Sequence, residues 1–390
     1  MKQDRLLAVP AIAVPVRNES VTNNQGESKV MKSGKSCTAF GQASASLLAA
    51  GILATGLASA ALAEEPDRLM GLIEPATATK PLTIGVTLVH LQDDYWKGMA
   101  YGISDEAKRS GVIVRQIDIA GGYGNVPQQF SQINTMVSKG IDTLIVAPAA
   151  YDGFDTVLKD LKSQGIHVIT AGVPVNSTSV DFGIVQNDSD IGAALTDAVC
   201  KDKGTAPAKA LVIQGPAGAE WARLRIDAIQ AAAAKCKGLE LVVGPVGKEI
   251  SLAYGMSQTS DMLLTNPDAK YVMTIETSLG LGATQAVKAA GSSAKVVTSA
   301  LDKRAVDEIQ NGDILVAVTT EPGILIGRLL VQYAIRQNEG MDLTGLGALA
   351  GFGYPVVIVP AAIFSKATIA NHPAELYDIP PEDWSLEAIQ

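Results

Sequence analysis

Residues 82–101 read LTIGVTLVHLQDDYWKGMAY, and their pattern decides the fold. Leu82 to Val89 is an apolar β-type run. After it, Trp96, Met99, Ala100, Ile103 and Ala107 follow the i, i+3, i+4, i+7 spacing of an amphipathic helix over 95–110. Asp93 or Asp94 stands where a helix N-cap belongs, and Gly111 where the helix should stop. The turn between strand and helix therefore carries two acids and two adjacent aromatics. It lies at the carboxyl end of a first strand, the rim where open α/β sheets bind ligands. Tyr95 and Trp96 either face a ligand there or pack the helix against the sheet.

The same alternation continues outward. Strands are predicted at 82–89, 112–118, 142–147 and 166–171, with a shorter one at 181–186. Helices are predicted at 95–110, 126–139, 152–164 and 188–202. Apolar strand runs separated by helical patterns of this length mean βαβ units and a parallel sheet. The rhythm then restarts. Strands are expected at 210–213, 239–243, 271–275, 295–298 and 314–319, each with a helix behind it. A long helix over 322–336 begins with a proline in its first turn, and 353–359 is a Val/Ile strand. The fold class expected is thus α/β, with two Rossmann-like parallel-sheet lobes joined by a three-crossing hinge. The crossings are placed near 187, 319 and 348. That assigns 82–187 plus 319–348 to an N-terminal lobe and 188–318 plus 349–370 to a C-terminal lobe. Residues 64–81 form a lead-in and 371–390 a Pro-rich tail. No Gly/Ser/Pro run resembles a linker between two independent beads.

The N-terminus reads as a leader over 1–63, with a secretory signal peptide at 31–63. Lys32 and Lys35 supply the charged region, Leu47 to Leu57 the apolar stretch, and Ala61-Leu62-Ala63 an A-x-A cleavage site. Cys37 precedes the apolar stretch, so it is not a lipoprotein cysteine. The expected location is the periplasm. Export leaves Cys200 and Cys236. An oxidising compartment favours a disulfide between them, with two buried thiols as the alternative.

Composition narrows the function. Net charge is −9 with no basic cluster, which argues against a nucleic-acid partner. The three cysteines form no C-x-x-C pair and the three histidines are scattered, so no metal site is expected. There is no phosphate loop, no H-E-x-x-H and no G-x-S-x-G elbow. The glycines of 345–351 have the wrong spacing and position for a dinucleotide fingerprint. No nucleophile–base–orienter set can be assembled, so neither an enzyme nor a cofactor is expected.

Several motifs together resemble the type I periplasmic binding proteins. They are Ile84-Gly85-Val86, Asp94-Tyr95-Trp96-Lys97-Gly98, Gly140-Ile141-Asp142, and Gln214-Gly215-Pro216-Ala217-Gly218. The resemblance covers roughly 82–365 and implies two lobes that close on a small ligand by hinge motion. Sugar receptors of that family carry Asp-Arg after the fourth strand, where this chain has Gly172-Val173. They carry an Asp near Ala300, and an Asn and a Gln where Glu276 and Glu321 stand. The closer resemblance is to TorT-like periplasmic sensor proteins, carried by Asp94-Tyr95-Trp96, Gly121-Gly122-Tyr123 and Gly215 to Trp221. It implies trimethylamine N-oxide as ligand and a TorS-like membrane sensor histidine kinase as partner. The implied ligand residues are Asp94, Tyr95, Trp96, Tyr123, Trp221, Tyr254, Glu276 and Glu321. Methylated nitrogen favours aromatic faces, and Trp221 and Tyr254 have helix packing as their alternative role. The second functional expectation is a solute receptor of an ABC importer, with an ABC permease as partner and a sugar or other small polar ligand.

Overall fold

The computed structural model describes residues 67–386. The leader and signal peptide expected over 1–63 lie outside the described residues. The first half of the chain contains β1 (Thr83–Leu88), α1 (Asp94–Ser110), β2 (Ile113–Ile119), α2 (Val126–Ser138), β3 (Thr143–Val146), α3 (Asp155–Ser163), β4 (His167–Gly172) and β5 (Phe182–Gln186). The second contains α4 (Asp188–Lys203), β6 (Ala208–Ile213), α5 (Glu220–Ala233), β7 (Leu239–Val243), α6 (Leu252–Thr265), β8 (Tyr271–Thr274), α7 (Thr277–Ala289), β9 (Lys295–Thr298), α8 (Lys303–Asn311) and β10 (Leu315–Thr319). Then come α9 (Gly323–Glu339), β11 (Leu346–Gly347), β12 (Val356–Val359), β13 (Ile363–Phe364) and α10 (Ala374–Tyr377).

These strands form two sheets. The first runs β11-β12-β5-β4-β3-β1-β2 and the second β13-β10-β9-β8-β6-β7. Each is parallel apart from one antiparallel edge strand, β11 on β12 and β13 on β10. The central strands are buried along their length, as strands covered by helices on both faces must be. This is the two-lobed α/β architecture that the alternation implies.

The chain leaves the first sheet at Asn187, whose side chain caps α4. It returns after Thr319, because α9 packs along α1 and against β4 and β5. The two helices approach so closely that a β-carbon on Gly102 would collide with the Ile324 carbonyl, and one on Gly327 with that of Met99. The third crossing differs from the expected one. It falls after Val359, not near 348, because β12 pairs in parallel with β5 of the first sheet. Residues 349–359 therefore belong to the N-terminal lobe, and only β13 rejoins the second sheet. A short Val/Ile run carries no local mark of which sheet it will enter.

The tail is also packed in place. Tyr377 donates to the Asp67 carbonyl (2.7 Å), His372 pairs with Asp378 (2.6 Å), and Trp384 meets Tyr101 of α1 edge-on. The lead-in is held in turn by Arg68 on Glu106 and by the Gln332 side chain, which pairs with both backbone groups of Ala76. Cys200 at the end of α4 and Cys236 after α5 are disulfide-bonded, with Cα atoms 6.2 Å apart. Among the described residues no helix is long and apolar enough to cross a membrane.

Candidate functional site

The carboxyl ends of both sheets face one cavity of about 530 Å³. That lies within the roughly 300–1,000 Å³ of small-molecule sites. The first lobe supplies the turn after β1, where Asp93 caps α1 by accepting from the Trp96 amide (3.0 Å). This cap directs Asp94, Tyr95 and Trp96 to the cavity wall. The loop after β2 adds Gly121, Gly122 and Tyr123. The positive φ of both glycines lets that loop turn sharply ahead of Tyr123.

The second lobe supplies helix starts of the same kind. Glu276 caps α7, its Oε2 accepting from the Ser278 amide (2.6 Å) and the Leu279 amide (3.3 Å). Asp302 caps α8 through Oδ1 and holds Arg304 through Oδ2 (2.6 and 2.8 Å). Trp221 and Arg225 project from the first two turns of α5. An acid at a helix N-terminus is favoured by the helix dipole, so each cap also places an acidic group at the cleft.

Arg225 joins the lobes' shared floor. It is 1% exposed. Its Nε and Nη2 donate to Asp188 Oδ1 (2.9 and 2.7 Å), and Nη1 donates to the Ile275 carbonyl, Ser299 Oγ and Glu321 Oε1. Its guanidinium also lies over the Trp221 ring, 4.9 Å from the centroid. Two carboxylates thus balance the one buried guanidinium. Across the cleft, Asp94 Oδ2 accepts from the Lys303 amide of α8 (3.2 Å), a direct contact between the lobes.

Burial raises several acids of the cleft, including Asp188, pushed up to about 6 despite Arg225, and Asp302 despite Arg304. Desolvation pushes Asp93 up to about 7, aided by the negative charges of Glu321, Asp94 and Asp302. It pushes Glu276 up to about 8, aided by Asp93 and Asp302. His90, beside Trp96 and Tyr123, is driven down to about 4 by burial and is neutral at pH 7.

Seven of the eight expected ligand residues meet at this cavity: Asp94, Tyr95, Trp96, Tyr123, Trp221, Glu276 and Glu321. Tyr254 does not. It sits in the first turn of α6 and packs against the core, while the preceding segment, Lys248 to Ser251, lines the cavity. The expected aromatic cage is also partly occupied from within. Arg225 covers a face of Trp221, and the Tyr95 hydroxyl donates to Gln186 Oε1 (2.9 Å). Sequence reasoning missed Gln186, Arg225 and Asp302 as site residues. Arg225 was signalled only by its position four residues after Trp221, on the same helical face.

Comparison with known proteins agrees with this geometry. The family model for the periplasmic binding protein domain matches residues 84–341. The chain belongs to the periplasmic binding protein family. It is 30% identical over 314 residues to a provisionally named rhizopine-binding protein of Rhizobium meliloti, covering 76% of this chain and 94% of that one. It is 24% identical over 255 residues to the ribose import binding protein of Bacillus subtilis, covering 65% of this chain and 81% of the relative. Among solved structures it resembles the substrate-binding protein of a sugar ABC transport system from Bordetella parapertussis. There the identity is 46% and the TM-score 0.79, over 82% of this chain and all of the other. These relatives are substrate-binding proteins, not enzymes, and the type I periplasmic binding protein fold is shared. Neither the family match nor these relatives support the TorT-like specificity, trimethylamine N-oxide as ligand or a histidine kinase as partner.

Proposed function

We propose that this periplasmic binding protein is the solute receptor of an ABC importer for a small, hydroxyl-rich solute of the sugar class. The observation that carries this reading is the cleft itself. Both lobes aim polar groups at one cavity, and the carboxylates of Asp93, Glu276 and Asp302 are acceptors suited to solute hydroxyls. Trp96 and Tyr123 supply flat apolar faces for the C–H side of a sugar ring. The likeness to a sugar-transport substrate-binding protein at 46% identity supports the same class. The cavity is also far larger than a solute such as trimethylamine N-oxide requires. Closure around the solute would present a changed surface to the permease, linking solute and permease affinities.

A thermal-shift panel of pentoses, hexoses, cyclitols, choline and trimethylamine N-oxide tests the reading on residues 64–390. A ligand that binds only the folded state raises its melting temperature by mass action. At least one sugar or polyol should do so. Stabilisation by trimethylamine N-oxide or choline alone would contradict the proposal and favour the amine-sensor expectation.

A further inference from the structure

We propose that Asp93 and Glu276, one from each lobe, seat a protonated amine of the solute, so that the receptor takes an amino sugar or similar amine-bearing polyol. The inference rests on the receptor reading above and narrows it.

The two carboxylates enter the cavity from opposite sides, Asp93 after β1 and Glu276 after β8. Each spends one oxygen on a helix cap and leaves the other uncommitted. Asp93 Oδ2 has His90 Nδ1 at 3.7 Å, a ring that burial keeps neutral. Glu276 directs both cap bonds to Oε2, and among the described residues no group donates to Oε1. The arginines nearby are engaged. Arg225 is shared between Asp188 and Glu321, and Arg304 holds Asp302 and the Ser278 hydroxyl. Lys248 is exposed at the cavity wall. The two lobes therefore hold two buried carboxylates with which, among the described residues, no Lys or Arg side chain forms an ion pair, Arg304 being the cation whose charge reaches Glu276. Two like charges in one desolvated space demand a proton or a ligand cation between them. The raised ionisation of both acids expresses the same demand.

A second observation concerns the rest of the ligand. Trp221 is 7% exposed, and its indole Nε1 makes no well-formed hydrogen bond, although Tyr123 is its neighbour across the cleft. A buried indole N–H wants an acceptor. A solute oxygen would serve, which a simple alkylammonium lacks. Among the described residues no three acidic, histidine or cysteine side chains converge as a metal site. The arrangement thus suits an organic cation that also carries hydroxyl or ring oxygens.

The test is calorimetric titration of residues 64–390 at neutral pH with matched pairs, glucosamine against glucose and galactosamine against galactose. It is repeated in buffers of different ionisation enthalpy. The amine member of at least one pair should bind about ten-fold or more tightly than its neutral partner, with protons released to the buffer. Glu276→Gln keeps an amide oxygen to cap α7 and should bring the pair close to parity. Equal or tighter binding of the neutral members would overturn the amine seat while leaving the receptor reading intact. An amine preference unchanged in Glu276→Gln would also overturn it. Stabilisation by neutral sugars or polyols in the thermal-shift panel, with saturable binding of neither amine, would also overturn the amine seat alone.

Discussion

Gly172 and Tyr95 share one space. Gly172 ends β4 with φ of +73°, and a β-carbon there would collide with the Tyr95 hydroxyl. That hydroxyl in turn donates to Gln186 at the end of β5. The space beyond the end of β4 is thus filled from the other side, by a ring from α1. Gly172→Ala should displace Tyr95 and force a left-handed backbone on a residue with a β-carbon. We expect a loss of about 1–3 kcal/mol in stability, read by denaturant unfolding, and weaker solute binding. Unchanged stability would show that the ring has room to move.

Arg225 supplies a second prediction. Arg225→Met leaves Asp188 and Glu321 buried without a cation, and breaking such a pair costs about 3–5 kcal/mol. Adding Asp188→Asn and Glu321→Gln to the same chain should restore much of that loss, since it removes the uncompensated charges. Denaturant unfolding of the three chains measures both steps.

The pH dependence follows from Asp93 and Glu276. Both acids hold a proton in the folded protein at pH values where the unfolded chain has released it. Folding stability therefore falls as pH rises from about 4, and the fall ends once pH passes about 7 for Asp93 and about 8 for Glu276. The facing groups are the acidic Asp94, Asp302 and Glu321 and the Arg304 guanidinium; His90, driven down to about 4 from its ordinary 6.5, opposes the fall between those values, while Asp188, raised to about 6, adds to it. Below about 4 the trend reverses, as ion-paired Asp181 and Asp202, held below the usual carboxylate range, become protonated. The Asp93→Asn, Glu276→Gln double variant keeps both caps and should flatten the fall between pH 4 and 8, by on the order of a few kcal/mol. Urea unfolding across that range, without ligand, is the check.

The Cys200–Cys236 disulfide ties α4 to the end of α5 across a sequence separation of 36. Replacing both cysteines by serine should cost about 2–4 kcal/mol, measured against the oxidised chain in denaturant.

Much of this fold could be read from the chain. The periodicity at 82–101 implied strand, cap and helix because each has a local physical cause, and both lobes repeat that unit. The third crossing could not be read in the same way. Val356 to Val359 would suit either sheet, and only the pairing with β5 decides between them. The packing of the Pro-rich tail could not be read for a related reason. Its prolines mark the absence of regular structure, not the absence of packing, and Tyr377 and Trp384 find partners far away in sequence. At the site, the cap of α1 at Asp93 was visible because it follows an apolar strand and precedes a clear helical pattern, whereas the capping roles of Glu276 and Asp302 were not read. Tyr254 was misplaced because one helical turn separates the cavity wall from the α6 surface. The engagement of Trp221 by Arg225 depends on a buried polar network assembled from five separate segments, which no local pattern announces.

The central claim is that the cleft between the lobes is the solute site. A crystal structure of residues 64–390, grown with the solute that gives the largest thermal shift, tests it most directly. We predict solute density enclosed by both lobes, between Trp96 on one side and Glu276 on the other. Solute bound elsewhere on the protein, with the cleft unoccupied, would contradict the account.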